Sequence, residues 1–135
     1  MASAPLRIIL TPVGSSGDVH PFVGIARALK ARGHDVTIVT AEPFKDVVER
    51  EGVNFVAIGE AEEFEQMLTN ADLWHPRKGL PTILRTIADR MREAYDLLDE
   101  LIGDDDDCVL VGHSIGLAAR MLEDKRRLRS VTIHL

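Results

Sequence analysis

The sequence predicts an α/β fold in which about five parallel strands form an open sheet with helices on both faces. Two observations carry that expectation. Short apolar runs ending in glycine, proline or aspartate alternate along all 135 residues with stretches of helical periodicity. The composition, 45% hydrophobic and 28% charged, is that of a globular chain with a real core. No internal repeat or domain boundary interrupts the pattern, so residues 1–135 read as one domain.

Leu6 to Leu10 is an apolar run closed by Thr11-Pro12, as expected of a strand buried on both faces. After a glycine-rich loop from Gly14 to His20, Pro21 fits the first turn of a helix. Phe22, Ile25, Ala26 and Leu29 give that helix one apolar face, and Gly33 stops it. Val36 to Val39 is the second strand, Phe44 to Glu51 a second helix closed by Gly52, and Phe55 to Ile58 the third strand. The polar helical stretch "EAEEFEQMLTNAD" leads into "LWHPRKGLP", where Pro76, Gly79 and Pro81 mark an irregular connection. From Leu80 to Ile102 an apolar stripe of period 3.6 (Leu80, Ile83, Leu84, Ile87, Met91, Ala94, Leu98, Leu101, Ile102) predicts a long helix packed along its length. Cys108 to Val111 is the fourth strand, Ile115 to about Glu123 a helix, and Ser130 to Leu135 the fifth strand. Short right-handed crossovers between parallel strands make this a Rossmann-like sheet, most simply in the order 3-2-1-4-5. Ligands of such sheets bind where the winding reverses, so the loops after the first and fourth strands should face one crevice.

Charge and cysteine content narrow the function. A net charge of −6 argues against nucleic acid as the main partner, since phosphate binding needs clustered positive charge. The basic cluster "DKRRLR" at 124–129 reads as charge capping a helix C-terminus, and the run Asp104 to Asp107 as a solvated turn. That run lacks the alternation and glycine of a calcium loop. The single cysteine, Cys108, lies in an apolar run, which reads as a buried strand residue and leaves no cysteine metal site or internal disulfide. No apolar run reaches bilayer-spanning length, and a short polar lead passes directly into the first strand; a cytoplasmic protein without a signal peptide is expected.

The chemistry concentrates in the two loops. Gly14 and Gly17 allow positive φ and close backbone approach, and the N–H groups of the following helix point to the same space, favouring an anion or a hydroxyl. "VGSSGDVHPF" lacks both the G-x-G-x-x-G of a dinucleotide site and the lysine of a P-loop. Asp18 has two readings, helix N-cap or general base, and His20 could serve as the base instead. Ser15 and Ser16 could donate to a ligand or only stabilise the turn. In the second loop, Gly112-His113-Ser114-Ile115-Gly116 matches the G-x-S-x-G nucleophile elbow, which makes a serine hydrolase a rival reading. Only 21 residues follow Ser114, with Asp124 and His134 as the candidates for the acid and histidine of a triad.

With these residues in place, the chain resembles the N-terminal part of a GT-B glycosyltransferase of the family typified by sterol, macrolide and rhamnolipid glycosyltransferases. The resemblance is carried by "GSSGDVHPFVGIARALKARGHDVTIVT", "FKDVVEREGVNFVAIG", "DLWHPRKG" and "VLVGHSIGLAARMLEDK", which together span most of the sequence. It implies an acceptor-binding domain without its donor-binding partner, and inverting transfer of a sugar from a nucleotide-sugar co-substrate to a hydroxyl, with no other cofactor and no metal. By this resemblance Asp18, three residues before Pro21, stands where the family's base stands. His113 stands where many relatives place a supporting aspartate, so carboxylate and imidazole are exchanged, and either could be the base. Gly14, Ser15, Ser16, Gly17 and Ser114 would surround the reacting hydroxyl, and Trp74, in the irregular segment 60–81, would help shape a pocket for a lipid or other hydrophobic alcohol. The expected partners are that alcohol, a donor-binding domain in the same or a second chain, a second copy through the bare fifth strand, and a membrane surface where the acceptor is a lipid. Without a donor-binding domain the chain should be silent. The alternative to an enzyme is a non-catalytic α/β binding or assembly module.

Overall fold

A computed structural model describes residues 4–135; residues 1–3, the start of the polar lead, lie outside the described residues. Five strands, β1 (Arg7–Thr11), β2 (Asp35–Thr40), β3 (Asn54–Ala57), β4 (Val109–His113) and β5 (Arg129–Ile133), form one parallel sheet in the order β3-β2-β1-β4-β5. The order expected from the sequence is the one observed. Between the strands run α1 (Ser16–Ala31), α2 (Lys45–Arg50), α3 (Ala61–Thr69), α4 (Gly79–Ile102) and α5 (Leu117–Arg126). Short 3-10 turns at Glu42–Phe44 and Ala71–Trp74 precede α2 and α4.

The alternation of strand side chains divides the core into two layers. Ile8 and Leu10 of β1, Val36 and Ile38 of β2 and Val111 of β4 point to one face. There they pack with Val19, Phe22 and Ala26 of α1 and Val48 of α2. Ile9, Val39 and Leu110 point to the other, against Leu98 and Ile102 of α4 and Ala119 and Leu122 of α5. Both faces of the central strands are therefore dry, which is why their sequences read as continuous apolar runs. Cys108, just before β4, is fully buried in the second layer, and burial pushes its thiol pKa up, so it is an inert packing residue.

Three details depart from the sequence reading. Helix α1 begins at Ser16, so Pro21 is interior rather than in the first turn. Its missing N–H leaves the carbonyl of Gly17 without a helical partner, and exposed Gly17 can turn that carbonyl to water. Helix α4 is not packed along its whole stripe. Its 24 residues rise about 36 Å, whereas strands of four to six residues reach only about 13 to 20 Å. The N-terminal half therefore overhangs the sheet: Leu98 and Ile102 are buried, but Leu80, Ile83 and Leu84 are exposed.

The third concerns the charge clusters. The aspartate run is not simply solvated, nor does the basic cluster merely cap α5; the two pair with one another. Arg126 reaches Asp106 at 2.7 Å and Arg129 reaches Asp107 at 3.8 Å, while Arg7 of β1 meets Asp105 at 3.7 Å. Arg126 also donates to Asp99 at 3.1 Å and to the Gly103 carbonyl at 2.6 Å, and Arg7 donates to the carbonyls of Leu101 and Ile102. Two guanidinium groups thus satisfy the orphan carbonyls at the negative end of α4. Because the Arg126 side chain is only 17% exposed and bridges α4 to the turn before β4, Arg126→Ala should lower stability, read as a reduced urea midpoint with an unchanged m-value.

Candidate functional site

Parallel pairing of β1 with β4 places Thr11 opposite Gly112, so both chains leave the sheet at the same height. The loop from β1 into α1 carries Asp18 back over that end, and His113 is the last residue of β4. The two side chains meet, with Asp18 Oδ1 3.4 Å from His113 Nε2. His113 is almost fully buried against Phe22, whose ring centroid lies 6.1 Å away, while Asp18 is about one-third exposed. One partner is shielded and the other faces solvent.

Asp18 is held by more than its neighbour. The Ser15 N–H donates to Asp18 Oδ2 at 2.8 Å, and the Ser15 hydroxyl donates to the same oxygen at 3.2 Å. This is the reach-back half of a capping box, with Asp18 at the third helical position rather than at the cap itself. One carboxylate oxygen is therefore tied to the loop and the other turned to the imidazole. Gly14 makes room for this. Its φ is +132°, and a Cβ there would lie 2.7 Å from Asp18 Cγ and overlap the carboxylate.

His113 is held with equal definition. The Ile115 N–H donates to His113 Nδ1 at 3.2 Å, so in the neutral ring Nδ1 is the acceptor and the proton sits on Nε2. That Nε2–H is buried, and Asp18 is the charged group beside it. At 3.4 Å the contact lies within ion-pair reach but short of a well-formed hydrogen bond, and among the described residues Nε2 has no other acceptor. A shift of a few tenths of an ångström in the partly exposed carboxylate closes it.

The other residues singled out in the sequence separate into different places. Gly17 is an ordinary second helical residue without positive φ; the close-approach role belongs to Gly14 alone. His20 is exposed and two residues round the helix from Asp18. With Ser15 and Ser16 it forms the polar rim of an open groove of about 320 Å³, whose wall is Pro43, Phe44, Val47, Phe64 and Leu68. Phe64, from α3, stacks edge-on against Phe44 at 5.5 Å. Helix α3 buries no residue; the Glu60 N–H and Arg90 anchor it at Glu63, and both hold that carboxyl below the usual range. Trp74 stands clear of this groove, 74% exposed, with its indole N–H donating to the Leu68 carbonyl at 3.2 Å.

Ser114 lines a second cavity, of about 250 Å³, between β4, β5 and α5. Its N–H continues the sheet ladder to the Ile133 carbonyl at 3.1 Å, and α5 begins only at Leu117. A nucleophile elbow needs a strained strand-to-helix turn at the serine. Arg127 is the only non-glycine residue with positive φ among those described, so Ser114 lacks that strain. The two glycines of the motif serve packing. A Cβ on Gly112 would press Ala119 of α5 at 3.3 Å, and one on Gly116 would press the His113 carbonyl at 3.1 Å. Among the described residues, no group of three or more His, Cys, Asp or Glu side chains converges as metal ligands would.

Sequence reasoning missed Ser15 as the anchor of Asp18 and the Ile115 N–H as the group that sets the imidazole. The first was legible, because Ser15-x-x-Asp18 has capping-box spacing. The second was not, since a backbone donor carries no residue signature.

Residues 8–112 match the family model described as Glycosyltransferase family 28 N-terminal domain. A sterol 3-beta-glucosyltransferase of Komagataella phaffii is 41% identical over 69 residues, half of this chain but 6% of that protein. The O-mycaminosyltylonolide 6-deoxyallosyltransferase of Streptomyces fradiae is 42% identical over 52 residues, 38% of this chain and 12% of that protein. Among solved structures, the calicheamicin glycosyltransferase CalG4 superposes with a TM-score of 0.74 at 21% identity, over 96% of this chain and 32% of its own. The kitacinnamycin glycosyltransferase does so with a TM-score of 0.71 at 21% identity, over 98% and 31%. At such identity the superpositions bear on fold alone. The chain spans only a small part of the curated relatives it matches and about a third of the solved ones.

The two glycines of the first loop should respond oppositely to one substitution. Gly14→Ala should cost about 1 kcal/mol or more, because it needs positive φ and displaces Asp18. Gly17→Ala should gain roughly 0.5 kcal/mol. Thermal unfolding of the two variants checks both signs.

Proposed function

The chain belongs to the glycosyltransferase family 28 N-terminal domains, and on that premise we propose that it is the acceptor-binding part of an inverting glycosyltransferase acting on a hydrophobic alcohol. The observation that carries this reading is the pair at the mouth of the sheet: a partly exposed carboxylate, fixed at one oxygen by Ser15 and faced at the other by a buried imidazole. A general base must be oriented, reachable by the acceptor and free to take a proton. Asp18 meets all three requirements.

The tautomer of His113 favours Asp18 over His113 as the base. Nε2 already carries a proton, and Nδ1 could accept one only by giving up the Ile115 N–H. His113 is then a positioning residue that steadies the carboxylate. In the proposed step the acceptor hydroxyl gives its proton to Asp18 as its oxygen forms a bond to the anomeric carbon. The bond from that carbon to the diphosphate oxygen breaks on the opposite side, and the nucleotide leaves with the electron pair. The donor would sit in a separate domain facing this edge of the sheet. The groove walled by Pro43, Phe44, Val47, Phe64 and Leu68 suits the apolar body of the acceptor, and Ser15 joins it to Asp18. The sterol and macrolide acceptors named for the relatives are of that chemical kind.

The test uses a two-domain transferase that carries this chain as its N-terminal half, with turnover measured on a sterol or macrolide alcohol. Asp18→Asn should lower kcat by about 10²- to 10⁴-fold, the usual worth of a general base. His113→Gln, which keeps a donor but not the ring geometry, should lower kcat less and leave KM nearly unchanged. Full turnover in Asp18→Asn would refute the assignment.

A further inference from the structure

Strand β5 ends the sheet with one hydrogen-bonding edge open. The Ser114 N–H donates to the Ile133 carbonyl, so Ile133, and with it Val131 and Arg129, turns its backbone groups to β4. Backbone direction alternates along a strand, which leaves the N–H and C=O groups of Ser130 and Thr132 facing outward. Among the described residues no strand pairs with that side.

Edge strands are ordinarily blunted by lysine, proline, a bulge or a covering element. β5 reads RSVTI, runs in unbroken register with β4 and ends in three β-branched residues. Its one charged residue, Arg129, is turned back to Asp107, whose carbonyl and carboxylate it meets at 2.6 and 3.8 Å. Val131 is 53% exposed and is the only exposed large hydrophobic of any strand among the described residues. The opposite edge, β3, is four residues long and exposes none.

The surface beside this edge is self-complementary. A cavity on the α5 side of the sheet has Gly112, Ser130 and Thr132 on its floor and Arg120 and Glu123 of α5 on its wall. Those two side chains stand 4.0 Å apart, at the outer limit of an ion pair, and the arginine is 65% exposed. A patch holding one cation and one anion can satisfy both against a rotated copy of itself.

We propose that β5 pairs antiparallel with β5 of a second copy, about a twofold axis at Val131, and so joins two sheets into one. Ser130 and Thr132 then exchange backbone hydrogen bonds with the partner's Thr132 and Ser130, and the two Val131 side chains meet at the axis. An axis normal to the sheet keeps like faces together, so the two cavities merge and Arg120 comes opposite the partner's Glu123. Helix α5 packs on Gly112 of β4 through Ala119. With strands about 4.8 Å apart, the two α5 helices then stand roughly 14 Å apart, a gap that an arginine and a glutamate bridge. The contact uses up the open edge, so it closes at two copies. Because the paired strands run in opposite directions, the two Asp18–His113 mouths open at opposite ends of the joined sheet and neither is covered. The pairing does not rest on the function proposed above.

Sedimentation velocity of the chain from micromolar to millimolar concentration should show monomer converting to dimer and nothing larger. Amide exchange at Ser130 and Thr132 should slow as concentration rises. Val131→Lys should abolish the dimer. Thr132→Pro, which deletes an outward N–H and leaves the β4 ladder intact, should do the same with little change in melting temperature. Arg120→Glu and Glu123→Arg should each weaken self-association by at least about tenfold, and mixing the two variants should restore a dimer, since each supplies the charge that the other faces. A role for that pair inside one helix would give no such rescue. A chain that stays monomeric at millimolar concentration, a dimer that survives both Val131→Lys and Thr132→Pro, or growth beyond two copies would overturn the proposal.

Discussion

Pairing of Thr11 with Gly112 across the centre of the sheet sets where everything else can act. Two parallel strands that end at the same height must release their following loops into one space, and here Asp18 and His113, 95 positions apart in the chain, meet there. Neither loop alone brings the two side chains together. Each supplies one side chain and one backbone donor, the Ser15 N–H for the carboxylate and the Ile115 N–H for the imidazole. The rigid, doubly buried strands beneath make that arrangement cheap to maintain.

The division of labour between the two groups follows from burial. An imidazole shut against Phe22 and bonded at Nδ1 has one orientation and one tautomer, which makes it a good support and a poor proton acceptor. The Asp18 carboxylate, at one-third exposure, still faces solvent. The two loops thus keep a partly exposed carboxylate in contact with a buried imidazole.

Much of this was legible in the sequence, because fully buried parallel strands announce themselves as apolar runs, and glycines and prolines mark their ends. Strand number, sheet order and the convergence of the two loops on one crevice came from that alternation, whereas the choice of Asp18 and His113 within those loops came from the family resemblance. What was not legible depended on dimensions or on partners without side-chain signatures. The stripe from Leu80 to Ile102 is continuous in the sequence, but a helix twice as long as the strands beneath it cannot bury both halves. The G-x-S-x-G match at 112–116 reflects strand-to-helix packing at Gly112 and Gly116, and the unstrained backbone at Ser114 and the late start of α5 separate it from a nucleophile elbow. The run Asp104 to Asp107 read as a solvated turn and the cluster at 124–129 as charge capping a helix, since nothing local to either shows that the fold brings them together.

The same geometry gives the working edge of the sheet two unlike neighbours. On one side the groove between α1, α2 and α3 is apolar with a hydroxyl-rich rim, and on the other the overhang of α4 carries leucines among cations. Between them sits the carboxylate, and its fixed partner is the part of the account most open to direct observation. Nitrogen-15 spectra of the His113 ring, recorded at neutral pH on the folded chain, report which nitrogen bears the proton. The account predicts a neutral ring protonated at Nε2, with that proton's signal perturbed by Asp18→Asn. A ring protonated at Nδ1, or one indifferent to Asp18→Asn, would contradict it.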